Sequence, residues 1–316
     1  MNYTCPQCTK TQRGVALLVA LLVVALAAVL IAALLDRGEL SAARTRNQLR
    51  AAQAQAYAQG LEAYAARVLQ QDAAGGGKVD TAGDAWAVPL PPTPVPGGEI
   101  TATMSDLDGR FNLNNLSPDY AQHVLWEKKF RLLLQALKLE PNLALVVHDW
   151  MSRDVASGSN DAFYLSQAVP YRSAKNVFFH ISELRLLRGM SGDAYAQLAP
   201  HVSALPAGTT ININTASVPV LMTLRDDMTQ QMAQALWQQG HANFRSLADI
   251  ATAVPNLQPD CPPPAACYDV YSRFFVARGQ ITLDGLPFVF YSVLDRIEGG
   301  ADGGIHVIQR SRGTEG

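Results

Sequence analysis

Residues Val15 to Leu35 are 21 consecutive positions without a charge, a polar side chain, a glycine or a proline. At 1.5 Å per residue a helix of that length covers about 30 Å, the hydrocarbon thickness of a bilayer. A cleaved secretory signal has a shorter apolar core, about 7 to 15 residues, and then a breaker and a small-residue cleavage site. Here the apolar stretch runs straight into further helix formers. Asp36 to Gln71 is rich in Ala, Gln, Arg, Leu and Glu, lacks proline, and is interrupted only by Gly38 and Gly60. Within it Tyr57, Leu61, Tyr64 and Val68 recur at helical intervals, which predicts one common face. An unbroken helix from Val15 to Gln71 would extend about 85 Å. That exceeds any membrane, so its second half is expected to lie on a soluble domain.

The rest of the chain alternates in character. Gly75 to Gly77 and the prolines at 89, 91, 92, 94 and 96 predict a loop over 72–98. Glu99 to Asp106 alternates apolar and hydroxyl side chains, as a strand does, Asp108-Gly109 reads as a turn, and Arg110 to Leu113 as a short return strand. From Ser117 to Leu257 the pattern turns helical, with candidates at Leu125–Leu139, Leu143–Trp150, Ile181–Leu187, Val218–Leu224 and Gln230–Gln239. Strands return at Val270–Arg278, Pro287–Asp295 and Gly304–Gln309, with Leu283-Asp284-Gly285 as the hairpin turn. This order predicts an α+β protein: a long N-terminal helix packed on an antiparallel sheet, with a large all-helical domain inserted between strands.

Composition narrows the function. Apolar residues make up 48% and charged residues 16%, which suits a membrane segment or an extended packing surface. A net charge of -2 and the absence of any basic run argue against a nucleic-acid partner. Cys5 and Cys8 have the spacing of half a zinc site, with no second pair nearby to complete it. Cys261 and Cys267 flank Pro-Pro-Pro-Ala-Ala, a pre-bent loop that a disulfide would close in an oxidising compartment; two free thiols are the alternative.

Lys10-Thr11-Gln12-Arg13-Gly14 directly ahead of the apolar run resembles a prepilin leader. The resemblance implies cleavage by the prepilin peptidase between Gly14 and Val15 on the cytoplasmic side, methylation of the new N-terminus, and packing of the helix into a pilus-like fibre. Cys5 and Cys8 would leave with the leader. Prepilins usually carry a glutamate as fifth mature residue, whose carboxylate answers a neighbour's N-terminal ammonium; here that position is Val19. A subunit without it cannot compensate a buried ammonium, which matters because unpaired charge in hydrocarbon is costly. A subunit at the fibre tip does not need it.

Gly109-Arg110-Phe111-Asn112-Leu113-Asn114-Asn115-Leu116, Asp149-Trp150, Pro170-Tyr171-Arg172, Ser182-Glu183-Leu184-Arg185 and Ile211-Asn212-Ile213-Asn214-Thr215-Ala216 resemble, in order, the signature segments of the protein K family of type II secretion. These are minor pseudopilins with a helical insert and no glutamate at the fifth position. The resemblance implies the domain plan: leader 1–14, membrane helix 15–35, amphipathic continuation 36–71, a pilin-like domain from 72–116 and 258–316, and a helical insert over 117–257. It also implies a location in the inner membrane with the bulk of the chain in the periplasm. The implied role is at the pseudopilus tip, in assembly and export of folded proteins, with minor pseudopilins of the I, J and H types as partners.

Other chemical signals are weaker. Asp149, Asp154, Asn160 and Asp161 crowd oxygen donors around one loop, as a hard cation requires, and protein K relatives hold calcium in this region. Ser152 and Asn160 stand where acids are more usual, and a solvated helix end would favour the same residue types. Asp106-Leu-Asp108-Gly109 begins like an EF-hand loop, but Ser117 occupies the twelfth position, so a hairpin turn is the expectation. The segment from Ile211 to Asp249 resembles a helix-hairpin-helix module, which raises a membrane-anchored DNA-binding protein as the rival reading. Its turn, however, is Arg225-Asp226-Asp227-Met228, with two acids and no glycine. Asn214 or Thr215 is expected to cap the helix that follows. The six histidines form no His-Glu-x-x-His pair and no nucleophile elbow or phosphate loop is present, so the chain is not expected to be an enzyme.

Overall fold

The computed structural model describes residues 12–75, 78–153, 159–261, 266–297 and 304–313, the side chains of 12–14 and 159–160 excepted. Helix α1 runs from Gln12 to Ala74. The chain divides into two units between Ala56 and Tyr57. The first unit is the N-terminal part of α1. From Val15 to Leu35 its large apolar side chains lie open, with Val15 60% and Leu22 69% exposed.

In the second unit the end of α1 packs on a five-stranded antiparallel sheet of order β1-β2-β7-β8-β9. The strands are β1 (Leu90–Val95), β2 (Gly98–Asp106), β7 (Phe274–Leu283), β8 (Leu286–Arg296) and β9 (Ile305–Arg312). The buried helix face is Ala58, Leu61, Glu62, Ala65 and Leu69, rotated from the expected one: Tyr64 is 51% exposed. Alanine wins because a helix resting on a sheet needs small side chains at closest approach; a Cβ on Gly279 of β7 would come within 2.7 Å of Leu61 Cδ1. Along β7 and β8 the period of two divides the core. Phe275 and Leu294 join Ala65, Leu69 and Trp86 on one face, while Phe274, Val276 and Val293 meet Leu107 and Leu205 on the other.

Two local expectations are corrected. The proline segment within 72–98 is not loop throughout, because β1 pairs with β2 at the sheet edge, where a missing N–H need not break a ladder. Arg110–Leu113 is not a return strand, because β3 (Phe111–Asn112) pairs in parallel with β4 (Val202–Ser203) instead of folding back on β2. The helical block therefore extends from the end of β2 to the start of β7, beyond 117–257 on both sides.

That block holds α2 (His123–Ala136), α3 (Leu143–Met151), α4 (Ser159–Leu165), α5 (Gly192–Leu198), α6 (Val218–Leu221), α7 (Gln230–Trp237) and α8 (Ile250–Ala253). They surround one core that includes Phe111, Trp126, Phe130, Leu133, Val147 and Leu224. A second short parallel ladder joins β5 (Ile211–Asn212) to β6 (Tyr268–Asp269).

The same device occurs twice in this block. Asn114 Oδ1 accepts from Phe178 N at 2.7 Å, and its Nδ2 donates to Phe178 O at 2.9 Å. Asn214 Oδ1 accepts from Phe244 N at 2.8 Å, and its Nδ2 donates to Phe244 O at 3.0 Å. Two residues earlier, Asn112 and Asn212 each accept from the following asparagine's N–H at 3.0 Å. Just beyond each gripped phenylalanine an acid closes a turn: Glu183 accepts from Phe179 N and His180 N, and Asp249 from Arg245 N and Ser246 N. Asn214 is thus a clamp residue and Thr215 donates to Asp106, so neither caps the helix that follows; Ser217 precedes α6.

Candidate assembly interface

Two features of the chain can serve assembly: the open apolar helix of the first unit, and the polar joint that fixes the helical block to the sheet in the second. In the first unit, α1 contains a stretch apolar enough to cross a membrane, with a mean hydropathy of 3.3. Gly14 and Val15 are both helical, and Val19 is 53% exposed. An aliphatic side chain at Val19 offers no acceptor to a cation.

The joint is built from carboxylates that the sequence presents only as a turn. Asp106, at the end of β2, accepts from Ser272 Oγ at 2.6 Å, from Thr215 Oγ1, from Asp108 N at 2.7 Å and from Asn212 Nδ2 at 3.3 Å. Asp108 accepts from Arg273 N at 2.7 Å and Phe274 N at 3.2 Å, where β7 begins. Asp80 accepts from Ser272 N at 2.7 Å and is paired with the Arg296 guanidinium, which also reaches Asp72 at 3.2 Å. Gly109 is required here, since a Cβ would stand 2.6 Å from Thr215 Oγ1 and 2.9 Å from its carbonyl. Burial pushes Asp80 up to about 6, against the pull of Arg296. Burial also raises Asp106, and it raises Asp108 further with the neighbouring Asp106 charge adding to it. A signal for this joint exists in the sequence only as Asp106 and Asp108 at the end of β2, with Asp80 well ahead of β1.

The cation candidates are only partly drawn together. Asp149 lies on α3 and Asp161 on α4. Asp154 lies outside the described residues, as does the side chain of Asn160. Asp161 accepts from Ser173 N at 3.1 Å and Ser173 Oγ at 2.9 Å, with Lys175 Nζ 3.4 Å away, and these hydrogen bonds hold its carboxyl below the usual range. Its charge is ready for a cation, but an ammonium already stands beside it. Among the described residues no three His, Cys, Asp or Glu side chains converge as a metal site. Cys261 and Cys267 are joined in a disulfide.

The hairpin between α6 and α7 answers its own acids. Asp226 pairs with Lys128 at 2.6 Å, and Asp227 is paired with Arg225. Its role is packing: Lys129 of α2, buried, donates to Thr223 O at 3.1 Å beyond α6 and lies 4.9 Å over the Tyr268 ring. Burial lowers that ammonium to about 8.

Comparison with known proteins agrees with this architecture. The family description "Type II secretion system (T2SS), protein K" matches residues 109–207 and again 211–261, the two halves that carry the two asparagine clamps. Type II secretion system protein K of Pseudomonas aeruginosa is 35% identical, over 96% of this chain and 94% of its own length. The protein K of Pectobacterium carotovorum is 34% identical over 90% of this chain and 92% of its own. The crystal structure of the GspK-GspI-GspJ complex from the type 2 secretion system of enterotoxigenic Escherichia coli contains a chain with the same fold. It superposes with a TM-score of 0.73 at 26% identity, covering 86% of this chain and all of that one. The long helix, the antiparallel sheet, the inserted helical block and these likenesses together place the chain in the protein K family of the type II secretion system, among its minor pseudopilins.

Proposed function

We propose that this protein is a tip subunit of the type II secretion pseudopilus, needed for its assembly and for export of folded proteins across the outer membrane. In this reading the prepilin peptidase removes the leader between Gly14 and Val15, and the segment 15–35 then sits in the inner membrane with the bulk of the chain in the periplasm. The partners are minor pseudopilins of the I, J and H types. The observation that carries the reading is the open apolar helix of the first unit, which lacks an acceptor at Val19, in a chain whose relative was crystallised with two further subunits.

Lipid is as apolar as leucine, so such a helix gains little from leaving it except through close packing. Ala16 and Ala20, then Ala28 and Ala32, recur at four-residue spacing and permit close approach. Without a carboxylate at Val19 the helix can join a growing bundle but cannot compensate a further subunit's terminal ammonium. The helical block, larger than the sheet domain it interrupts, adds bulk that would block addition of a further subunit beyond it.

Replacing Gly14 with leucine is expected to leave the leader attached, and mass spectrometry of the wild-type chain to find a methylated Val15. Mature protein of normal size from the Gly14→Leu variant would overturn the reading. Calcium belongs to the same proposal, with Asp149, Asp154, Asn160 and Asp161 as its ligands; the ion would supply charge neutralisation and tie α3 to α4. Adding calcium to chelator-treated protein is expected to raise the melting temperature, and an unchanged melt at millimolar calcium would remove the ion from the account.

A further inference from the structure

The two edges of the sheet differ in kind. On β1, prolines at 91, 92 and 94 remove three backbone donors, the pairing with β2 shifts register between Leu90 and Thr93, and Thr93 Oγ1 donates back to Pro91 O at 2.9 Å. These features blunt an edge against further strands. At the opposite end of the sheet, β9 contains no proline and is an eight-residue strand.

The phase of the β8–β9 ladder shows which peptide groups face outward. Ile297 N donates to Gly304 O at 2.6 Å, and Gly313 N donates to Val289 O at 3.0 Å. Counting inward from both ends through the observed register, His306 and Gln309 turn toward β8, whereas the peptide groups of Ile305, Val307 and Arg310 turn to the open side. The register shifts by one residue at Ile308, which is 46% exposed. That bulge reverses the alternation, so Ile305 and Val307 pack toward Trp86 and Leu69, and Arg310 then returns to the same helix face to meet Glu62 at 2.8 Å. Arginines on β9 therefore lie over the helix face and do not guard the edge. On the other face Gln309 Nε2 donates to Phe179 O at 3.2 Å, which sets Phe179, 75% exposed, beside the strand.

We propose that the open edge of β9 is a docking site for an extended strand from a second pilin-like subunit, added antiparallel or parallel through main-chain hydrogen bonds. The proposal rests on the assembly reading above. The occupant is a partner subunit of the assembly, because the chain of like fold was crystallised together with two further subunits. A strand with apolar side chains toward Ile308 and Phe179 fits the exposed face of β9, while Arg310 on the other face is already answered by Glu62.

The test is amide hydrogen exchange on the full chain in detergent, alone and with the purified I- and J-type minor pseudopilins of the same secretion system. The amides of Ile305, Val307 and Arg310 are expected to slow at least tenfold in the complex, with β1 unchanged. Val307→Pro removes an outward donor without breaking the β8 ladder, and Ile308→Lys adds an edge charge at an exposed position. Each is expected to weaken complex formation at least tenfold, Ile308→Lys at unchanged melting temperature and Val307→Pro with a lower one, because Val307 also packs toward Trp86 and Leu69. A complex that forms with those three amides still exchanging freely would overturn the edge proposal and leave the assembly reading standing. No complex at all would overturn both.

Discussion

The two asparagine clamps grip a phenylalanine backbone in the same way, yet they are wired to different surroundings. Around Asn112 and Asn114 every partner is neutral: Leu205 N, Pro206 O, Phe178 and Asn115. Around Asn212 the amide reaches Asp80 O at 3.0 Å, Ser272 Oγ at 2.7 Å and the buried Asp106. The first clamp holds the helical block together; the second also fastens that block to the sheet through charge. One motif thus serves cohesion in one copy and attachment in the other, and the distinction lies in the neighbours, not in the asparagines.

The sharpest break should come from removing the grips. Asn114→Ala strands Phe178 N and O and also Leu205 O, which accepts from Nδ2 at 2.9 Å. A loss of about 4 kcal/mol is expected by urea denaturation of the protein in detergent. Asn214→Ala strands only Phe244 N and O, and about 3 kcal/mol is expected. A larger loss at Asn214 than at Asn114 would mean that attachment, not cohesion, limits stability.

The pH profile sharpens the contrast further, since only the second clamp touches the buried aspartates of the joint. Asp80, Asp106 and Asp108 are raised by burial, so the folded chain holds protons there that the unfolded chain releases. Their contribution is fully present below about pH 4 and is lost as pH rises through about 6 for Asp80. For Asp80 the span corresponds to about 3 kcal/mol at most. Glu62 acts in the opposite sense: burial raises it, but Arg310 and Ser292 together hold it below its ordinary value, so its contribution is lost on acidification. Asp80→Asn is expected to flatten the slope between pH 4 and 7, with Arg296 retained by Asp72. An unchanged slope would assign the proton uptake elsewhere.

The smallest effect is expected at Lys129, which links the two copies through Thr223 O. Its depressed ammonium means that the folded chain binds fewer protons than the unfolded one between about pH 8 and 10.5, so this site costs stability below that window. Tyr268 Oη also donates to Thr223 O, at 2.7 Å, so that carbonyl is not orphaned by substitution. Lys129→Met should therefore change stability by less than about 1 kcal/mol at pH 7, and a loss above about 3 would show that the cation holds the copies together.

What the sequence made legible were elements whose cause is local. The long helix, β2, the β7–β8 hairpin around Asp284-Gly285 and helices α2, α3, α6 and α7 follow from spacing and turn chemistry within a few residues, whereas α4, α5 and α8 are too short to leave a period. The family likeness was carried by Phe111–Leu116 and Ile211–Ala216, and their purpose was hidden because it is nonlocal. Asn114 finds Phe178 and Asn214 finds Phe244 only after folding, and the two-residue ladders β3–β4 and β5–β6 are too short to leave a period. Asp106 and Asp108 looked like surface turn residues because aspartate is common there; their partners Ser272 and Arg273 lie more than 160 residues away. In β1 the prolines masked a strand, since proline speaks against a central strand and is silent about an edge.

A grip that fixes only its two ends is indifferent to what lies between them. Asn114 reaches across 64 residues and Asn214 across 30, with the same pair of hydrogen bonds closing each circuit. Doubling a closed loop costs only about 0.6 kcal/mol of chain entropy. The first circuit is accordingly a place where whole helices can be spliced in or trimmed over generations, so that the outer contour of the molecule can diversify while its fastening stays unchanged.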